Sequence, residues 1–115
     1  MSPKNGNGTT VKLKTYAPVF AALGDETRLA LLTRLSQGRV YSISELTAGS
    51  RLTRQAITKH LRVLESVGVV RSSRAGRESL YELNLQPIEG ARQYLDLVSE
   101  RWDQALARLA RFVEG

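Results

Sequence analysis

The stretch that most constrains this chain is residues 50–70, SRLTRQAITKHLRVLESVGVV, which reads as one two-faced helix with a defined start and stop. Ile57, Leu61 and Leu64 recur at i, i+4 and i+7 and form a stripe that needs a core. Arg54, Gln55, Thr58, Lys59 and Arg62 fall on the opposite side. Thr53 precedes the helix as an N-cap whose hydroxyl accepts from a first-turn N–H, and Gly68 supplies the left-handed residue that ends it. The outward face is basic and polar, a surface suited to a polyanion.

Charge placement supports that face. Of 17 Lys and Arg against 11 Asp and Glu, seven against one lie in residues 51–77, so this segment alone carries the net charge of +6 and the rest cancels. Segregation of one sign onto a capped helix and the residues after it points to nucleic acid. With 115 residues the chain is the size of one domain. It has no cysteine, so disulfides and thiolate chemistry take no part. No apolar run approaches the roughly 18 residues of a membrane span, and MSPKNGNGTT lacks the apolar core of a signal peptide. A soluble, cytoplasmic chain is expected.

In chain order, residues 1–12 read as a disordered tail, rich in Gly, Asn and Thr, followed by a single domain over 13–115. Tyr16, Val19, Phe20 and Leu23 make the apolar face of a short helix, with Pro18 in its first turn. Gly24 breaks it and Asp25 caps a second helix, with Leu29, Leu32 and Leu35 inward and Gly38 as its stop. Residues 41–44 make a very short strand. Ser42 and Glu45 stand three apart, as a capping box requires, at the start of a third helix around Leu46. A short helix, a turn around Gly49 and Leu52 and then the basic helix give a helix-turn-helix over about 44–67.

After Gly68 the period changes from helical to alternating. VVRSSR and ESLYELNL flank Ala75 and Gly76 as a two-stranded β-hairpin over about 69–85, with Tyr81, Leu83 and Leu85 on one face and Arg74 and Arg77 at the tip. A basic hairpin after a recognition helix is a wing. Pro87 opens the last helix, about 87–113, in which Ile88, Ala91, Leu95, Val98, Trp102, Ala105, Leu109 and Phe112 recur at alternating steps of three and four. That heptad seam is longer than one small domain can cover, so a partner helix is expected.

Taken together, ALGDETRLALLTRLSQG and SISELTAGSRLTRQAITKHLRVLESVGVVRSSRAGRESLYEL resemble the ArsR/SmtB family of winged helix-turn-helix repressors. The resemblance spans about residues 16–85. Its most specific parts are Asp-x-Thr-Arg-Leu in the second helix, Ser-x-Ser-Glu-Leu in the third, Lys-His-Leu-Arg-Val-Leu in the recognition helix and Gly-Arg before the second wing strand. It implies a mainly α (α+β) winged helix-turn-helix fold with N- and C-terminal dimerisation helices. It also implies a homodimer that represses transcription from duplex DNA until an inducer, which no residue here specifies, relieves it. On this reading Thr53, Arg54, Gln55, Thr58, Lys59, Arg62, Arg74 and Arg77 bind DNA, at an inverted-repeat operator. Tyr16, Val19, Phe20, Leu95, Val98, Trp102, Leu109 and Phe112 line the dimer interface.

The departures bear on regulation. Where members that sense arsenic or lead carry cysteines, this sequence has Ser42 and Ser44. Its last helix has Asp96, Glu100 and Asp103 but no histidine, unlike zinc-sensing members. No metal or cofactor is therefore expected, and the one histidine, His60, is expected to pack or bond locally. An enzyme is not expected either, since the chain offers one His, no Cys and no phosphate-cradling glycine loop. The remaining alternative is a winged-helix module that binds protein and not DNA. RNA is a weaker partner, because the deep, narrow groove of an A-form duplex excludes a recognition helix.

Overall fold

The computed structural model describes residues 4–114, with side chains from Lys12 onward. Among these residues five helices and three strands follow one another: α1 (Lys4–Leu23), α2 (Glu26–Leu35), β1 (Tyr41–Ser42), α3 (Ile43–Ala48), α4 (Arg54–Ser66), β2 (Val70–Ala75), β3 (Glu78–Leu83) and α5 (Gln86–Glu114). No helix among the described residues is long and apolar enough to cross a membrane.

The centre is built from α2, α3, α4 and the start of the hairpin. Leu35, Leu46, Ile57, Leu61, Leu64, Val69 and Val70 are fully buried there, so the stripe expected on α4 faces inward. The positive φ of Gly68, 80°, turns the chain out of α4 and into β2. Asn84 ties that corner down, donating from its backbone N–H to the carbonyl of Val69 and from Nδ2 to that of Gly68, each at 2.9 Å.

The wing is part of a larger sheet than the sequence pattern suggests. β3 runs between β2 and β1, giving three antiparallel strands in the order β1-β3-β2 instead of a two-stranded hairpin. Tyr41 pairs with Tyr81 and Ser42 with Leu80, so the two-residue strand closes the edge of the sheet nearest α3. Ala75 pairs with Glu78, leaving a two-residue turn of Gly76 and Arg77. Gly76 lies at φ 63° and, among the described residues, no non-glycine has a positive φ, the pattern of a type II′ turn.

Several expectations are corrected. α1 begins at Lys4, inside the segment expected to be an unstructured tail, whose first three residues lie outside those described. Extending a formed helix costs far less than nucleating one, so the chain before Tyr16 can add turns to it. Pro18 consequently sits inside α1 instead of in its first turn, where its ring removes one backbone bond. Leu29 is 49% exposed, because Leu31, Leu32 and Leu35 set the centre of the buried face and Leu29 falls beside it. Leu85 is 61% exposed, since β3 ends at Leu83 and the chain turns towards α5.

α1 packs along the first turns of α5. Tyr16 and Phe20 lie with ring centroids 6.2 and 6.4 Å from that of Tyr94. Gly90 makes the approach possible, because a Cβ there would stand 2.8 Å from carbons of the Tyr16 ring. Val19, expected at a subunit interface, is 4% exposed and belongs to the chain's own core, since its position on α1 turns inward between those of Tyr16 and Ala22.

Candidate nucleic-acid interface

Capping fixes both helices of the helix-turn-helix. Ser42 accepts from the N–H of Glu45 while Glu45 accepts from that of Ser42, each at 3.0 Å, the reciprocal capping box expected at α3. The bond from Ser42 and then the Arg39 guanidinium at 3.1 Å hold the Glu45 carboxyl below its ordinary pKa, and the same contact holds Arg39 above its own. Arg39 also stacks over the Tyr41 ring at 3.8 Å. At the far end of α3, Arg34 donates to the carbonyls of Leu46 and Glu45 at 3.0 and 3.1 Å. Gly49 leaves room for that guanidinium, which would come within 2.7 Å of a Cβ. α2 thus clamps the carbonyl end of α3 and sets the turn into α4.

On α4, Thr53 Oγ1 accepts from the N–H of Ala56 at 3.1 Å, the expected N-cap. Arg54, Gln55, Lys59 and Arg62 are exposed, and with Thr53, Ala56 and Thr58 they line an open depression along one side of the helix. Thr58 is only half-exposed and donates to the carbonyl of Arg54 at 2.8 Å, so its methyl and its lone pairs are what it offers outward. Arg71, Arg74 and Arg77 are exposed on the wing. All eight residues expected to bind DNA are therefore solvent-accessible on α4 and the wing or beside them.

The other side of α4 is anchored through His60. Its Nδ1 lies 3.3 Å from Arg28 Nη1 and 3.7 Å from Asp25 Oδ2, while Arg28 Nε donates to the carbonyl of Ala22 at 2.6 Å. His60 thus bonds to residues distant in the chain, where a local bond was one expectation, and joins α4 to the junction of α1 and α2. The Arg28 backbone N–H, donating to Asp25 at 3.0 Å, lowers the pKa of that N-cap carboxyl.

Sequence reasoning missed two features. Glu78, in the wing, accepts from Ser44 and pairs with Arg54 at 3.6 Å, a cluster drawn from three elements with no local spacing to signal it. On α5, Leu106 and Val113 are exposed beside Trp102, Leu109 and Phe112, so the apolar stripe is wider than the seam. Their spacing of four from Trp102 and Leu109 was the available signal. Of the residues assigned to a partner helix, Leu95, Trp102, Leu109 and Phe112 are exposed, Val98, Tyr16 and Phe20 are half-buried, and Val19 is not accessible. Among the described residues, no three His, Asp or Glu side chains come together to hold a metal ion.

A family described as "Helix-turn-helix domain" matches residues 23–73, from the end of α1 into β2. The HTH-type transcriptional regulator YuzN of Bacillus subtilis is 40% identical over 77 residues, which cover 62% of this chain and 84% of that protein. The HTH-type transcriptional regulator Rv2034 of Mycobacterium tuberculosis is 31% identical over 96 residues, covering 84% and 86%. Among solved structures, an ArsR-like transcriptional regulator from Rhodococcus sp. RHA1 superposes with a TM-score of 0.73 at 37% identity, covering 91% of this chain and 95% of that one.

The chain belongs to the ArsR/SmtB family.

Its members are helix-turn-helix transcriptional regulators, not enzymes. The fold is the mainly helical winged form expected, with the N- and C-terminal helices in contact. In that frame α4 is the recognition helix and the β2–β3 hairpin the wing. Ser42 and Ser44 are both engaged, Ser42 as the cap of α3 and Ser44 with Glu78.

Proposed function

We propose that this member of the ArsR/SmtB family is a dimeric repressor that binds an inverted-repeat operator. Each protomer sets α4 into a major groove and its wing against the adjoining backbone. The observation that carries the reading is the exposed row of Arg54, Gln55, Lys59 and Arg62 on α4, continued by Arg74 and Arg77 on the wing, in a segment that holds the whole net charge. The N-terminal half of a recognition helix meets base edges, so Arg54, Gln55, Thr58 and Lys59 are assigned to the groove. Thr53, Arg62, Arg74 and Arg77 are assigned to phosphates.

The dimer follows from the unpartnered stripe on α5, joined by Tyr16 and Phe20 on α1. A two-fold pair of recognition helices calls for half-sites about one helical turn apart. No metal or cofactor is needed for this binding.

Selection from a random duplex library, followed by titration of the winning duplex and of a random duplex over a range of salt, tests the reading. Affinity should fall steeply with salt through counterion release. Gln55→Ala should cost about 1 to 3 kcal/mol at particular bases, and Arg77→Ala should weaken both duplexes alike. Equal losses on both duplexes for every substitution would remove α4 from the groove. A flat salt response would favour a protein-binding module.

A further inference from the structure

Glu78 is an acidic side chain of the wing that reaches the start of the recognition helix. It follows the turn of the wing, opposite Ala75 in register, and a single oxygen, Oε1, serves two helices. That oxygen accepts from the backbone N–H of Ser44 at 3.4 Å and from Ser44 Oγ at 3.1 Å, in the first turn of α3. It also lies 3.6 Å from Nη2 of Arg54, the first residue of α4.

Two features make this pairing more than a solvated contact. α4 has no acidic residue in its first turn, so Arg54 holds a cation at the positive end of a helix dipole, and Glu78 supplies the missing negative charge. Among the described residues, Arg51, Lys59, Arg62, Arg71, Arg74 and Arg77 make no ion pair, so Arg54 alone of the basic segment is held.

Resting on the DNA-binding reading above, we propose that Glu78 is a specificity-determining residue that ties Arg54 to the wing and to α3. A free arginine engages any phosphate within reach. A tethered one must exchange a carboxylate for a phosphate, an even trade that random DNA does not improve on. A base edge met by the donors of the guanidinium that Glu78 leaves open adds contacts without breaking the tether. Glu78 therefore lowers affinity for random duplex more than affinity for the chosen site.

Glu78→Gln keeps the size and the acceptor for Ser44 but removes the charge. The wild type, Glu78→Gln, Arg54→Ala and the double variant would each be titrated with a selected duplex and a random duplex of equal length across salt. Glu78→Gln should bind the random duplex about two- to fivefold tighter, the scale of one exposed ion pair. Its slope of log affinity against log salt should steepen by about 0.9, one added phosphate contact. The selected duplex should gain less, and both changes should vanish when Arg54 is alanine.

An unchanged random-duplex affinity overturns the assignment. So does an equal gain in the Arg54→Ala background, which marks plain charge repulsion, and so does a parallel loss on both duplexes, which marks a loosened wing. Should Glu78→Gln fail to fold, Glu78→Ser, which also removes the charge beside Arg54, must tighten random binding in the same Arg54-dependent way. A wild type that selects no duplex refutes the functional reading itself, before any variant is compared.

Discussion

The winged core and the outer half of α5 are built from the same apolar residue types and treat them in opposite ways. Between α2 and β3, Leu35, Leu46, Ile57, Leu61 and Leu64 close on one another and leave almost nothing to water. Along residues 99–114 every residue is exposed, with Trp102 at 60% and Phe112 at 82%. A helix of 29 residues spans roughly 43 Å, and only its first turns find a neighbour in α1. The core closes within one chain, while the stripe meets no covering surface among the described residues.

The largest effect should come from charging that stripe. Trp102→Glu with Leu109→Glu should convert the proposed dimer to a monomer, seen by sedimentation, and lower affinity for a selected operator by more than a hundredfold. Burying a large side chain is worth roughly 1.5 to 3 kcal/mol, so losing two from each protomer exceeds what most interfaces can spare once association entropy is deducted. The winged core should stay folded, which separates the two regions. A monomeric wild type, or a charged variant that binds as tightly, would break the comparison.

A truncation inside the core should act differently. Leu61→Ala, at a fully buried position, should cost about 2 to 5 kcal/mol of fold stability whatever the protein concentration. Trp102→Ala should instead lower the melting temperature in a way that depends on concentration, because association stabilises by mass action. Melting curves across a hundredfold range of concentration distinguish them, and a concentration-independent loss for Trp102→Ala would place that residue in the protomer's own core.

The same division explains how much could be read from the sequence. Local rules sufficed where a residue's partner lies within one helical turn. Thr53 caps α4, Ser42 and Glu45 form the capping box, Gly68 takes a positive φ, and Ile57, Leu61 and Leu64 face inward. They failed where the partner is distant in the chain. The pairing of Tyr41 with Tyr81 and the meeting of Ser44, Arg54 and Glu78 depend on how elements pack, which periodicity does not encode. Val19 and Leu29 fall between these cases, since a helical period identifies an apolar face but the neighbours decide which of its edges is covered.

A smaller effect should appear in acid, and in the core alone. The Asp25 carboxyl is held below its ordinary pKa by the Arg28 backbone N–H, and that of Glu45 by Ser42 and then Arg39. A depressed folded-state pKa contributes stability that is complete above the unfolded value, about pH 4, and is lost as pH falls through the folded value. Melting temperature should thus hold from pH 7 to 5 as far as these groups are concerned and fall below about pH 4. Asp25→Asn with Glu45→Gln should flatten that fall, and an equally steep acid loss in the double variant would show that other groups drive it.

The smallest effect, none at all, is expected from metals, and it tests both regions together. In the core, Ser42 and Ser44 offer no thiolate and are already bonded to Glu45 and Glu78. On the outer helix, Asp96, Glu100 and Asp103 are exposed carboxylates with no histidine beside them. Zn²⁺ and As(III) favour imidazole and thiolate donors, which neither region supplies in a cluster. Micromolar Zn²⁺, Cd²⁺ or arsenite titrated into the complex with a selected duplex should therefore leave the DNA bound, as read by fluorescence anisotropy. Release at those concentrations, abolished by Asp96→Asn or Glu100→Gln, would mean that the outer helix carries a sensing site as well as the proposed association surface.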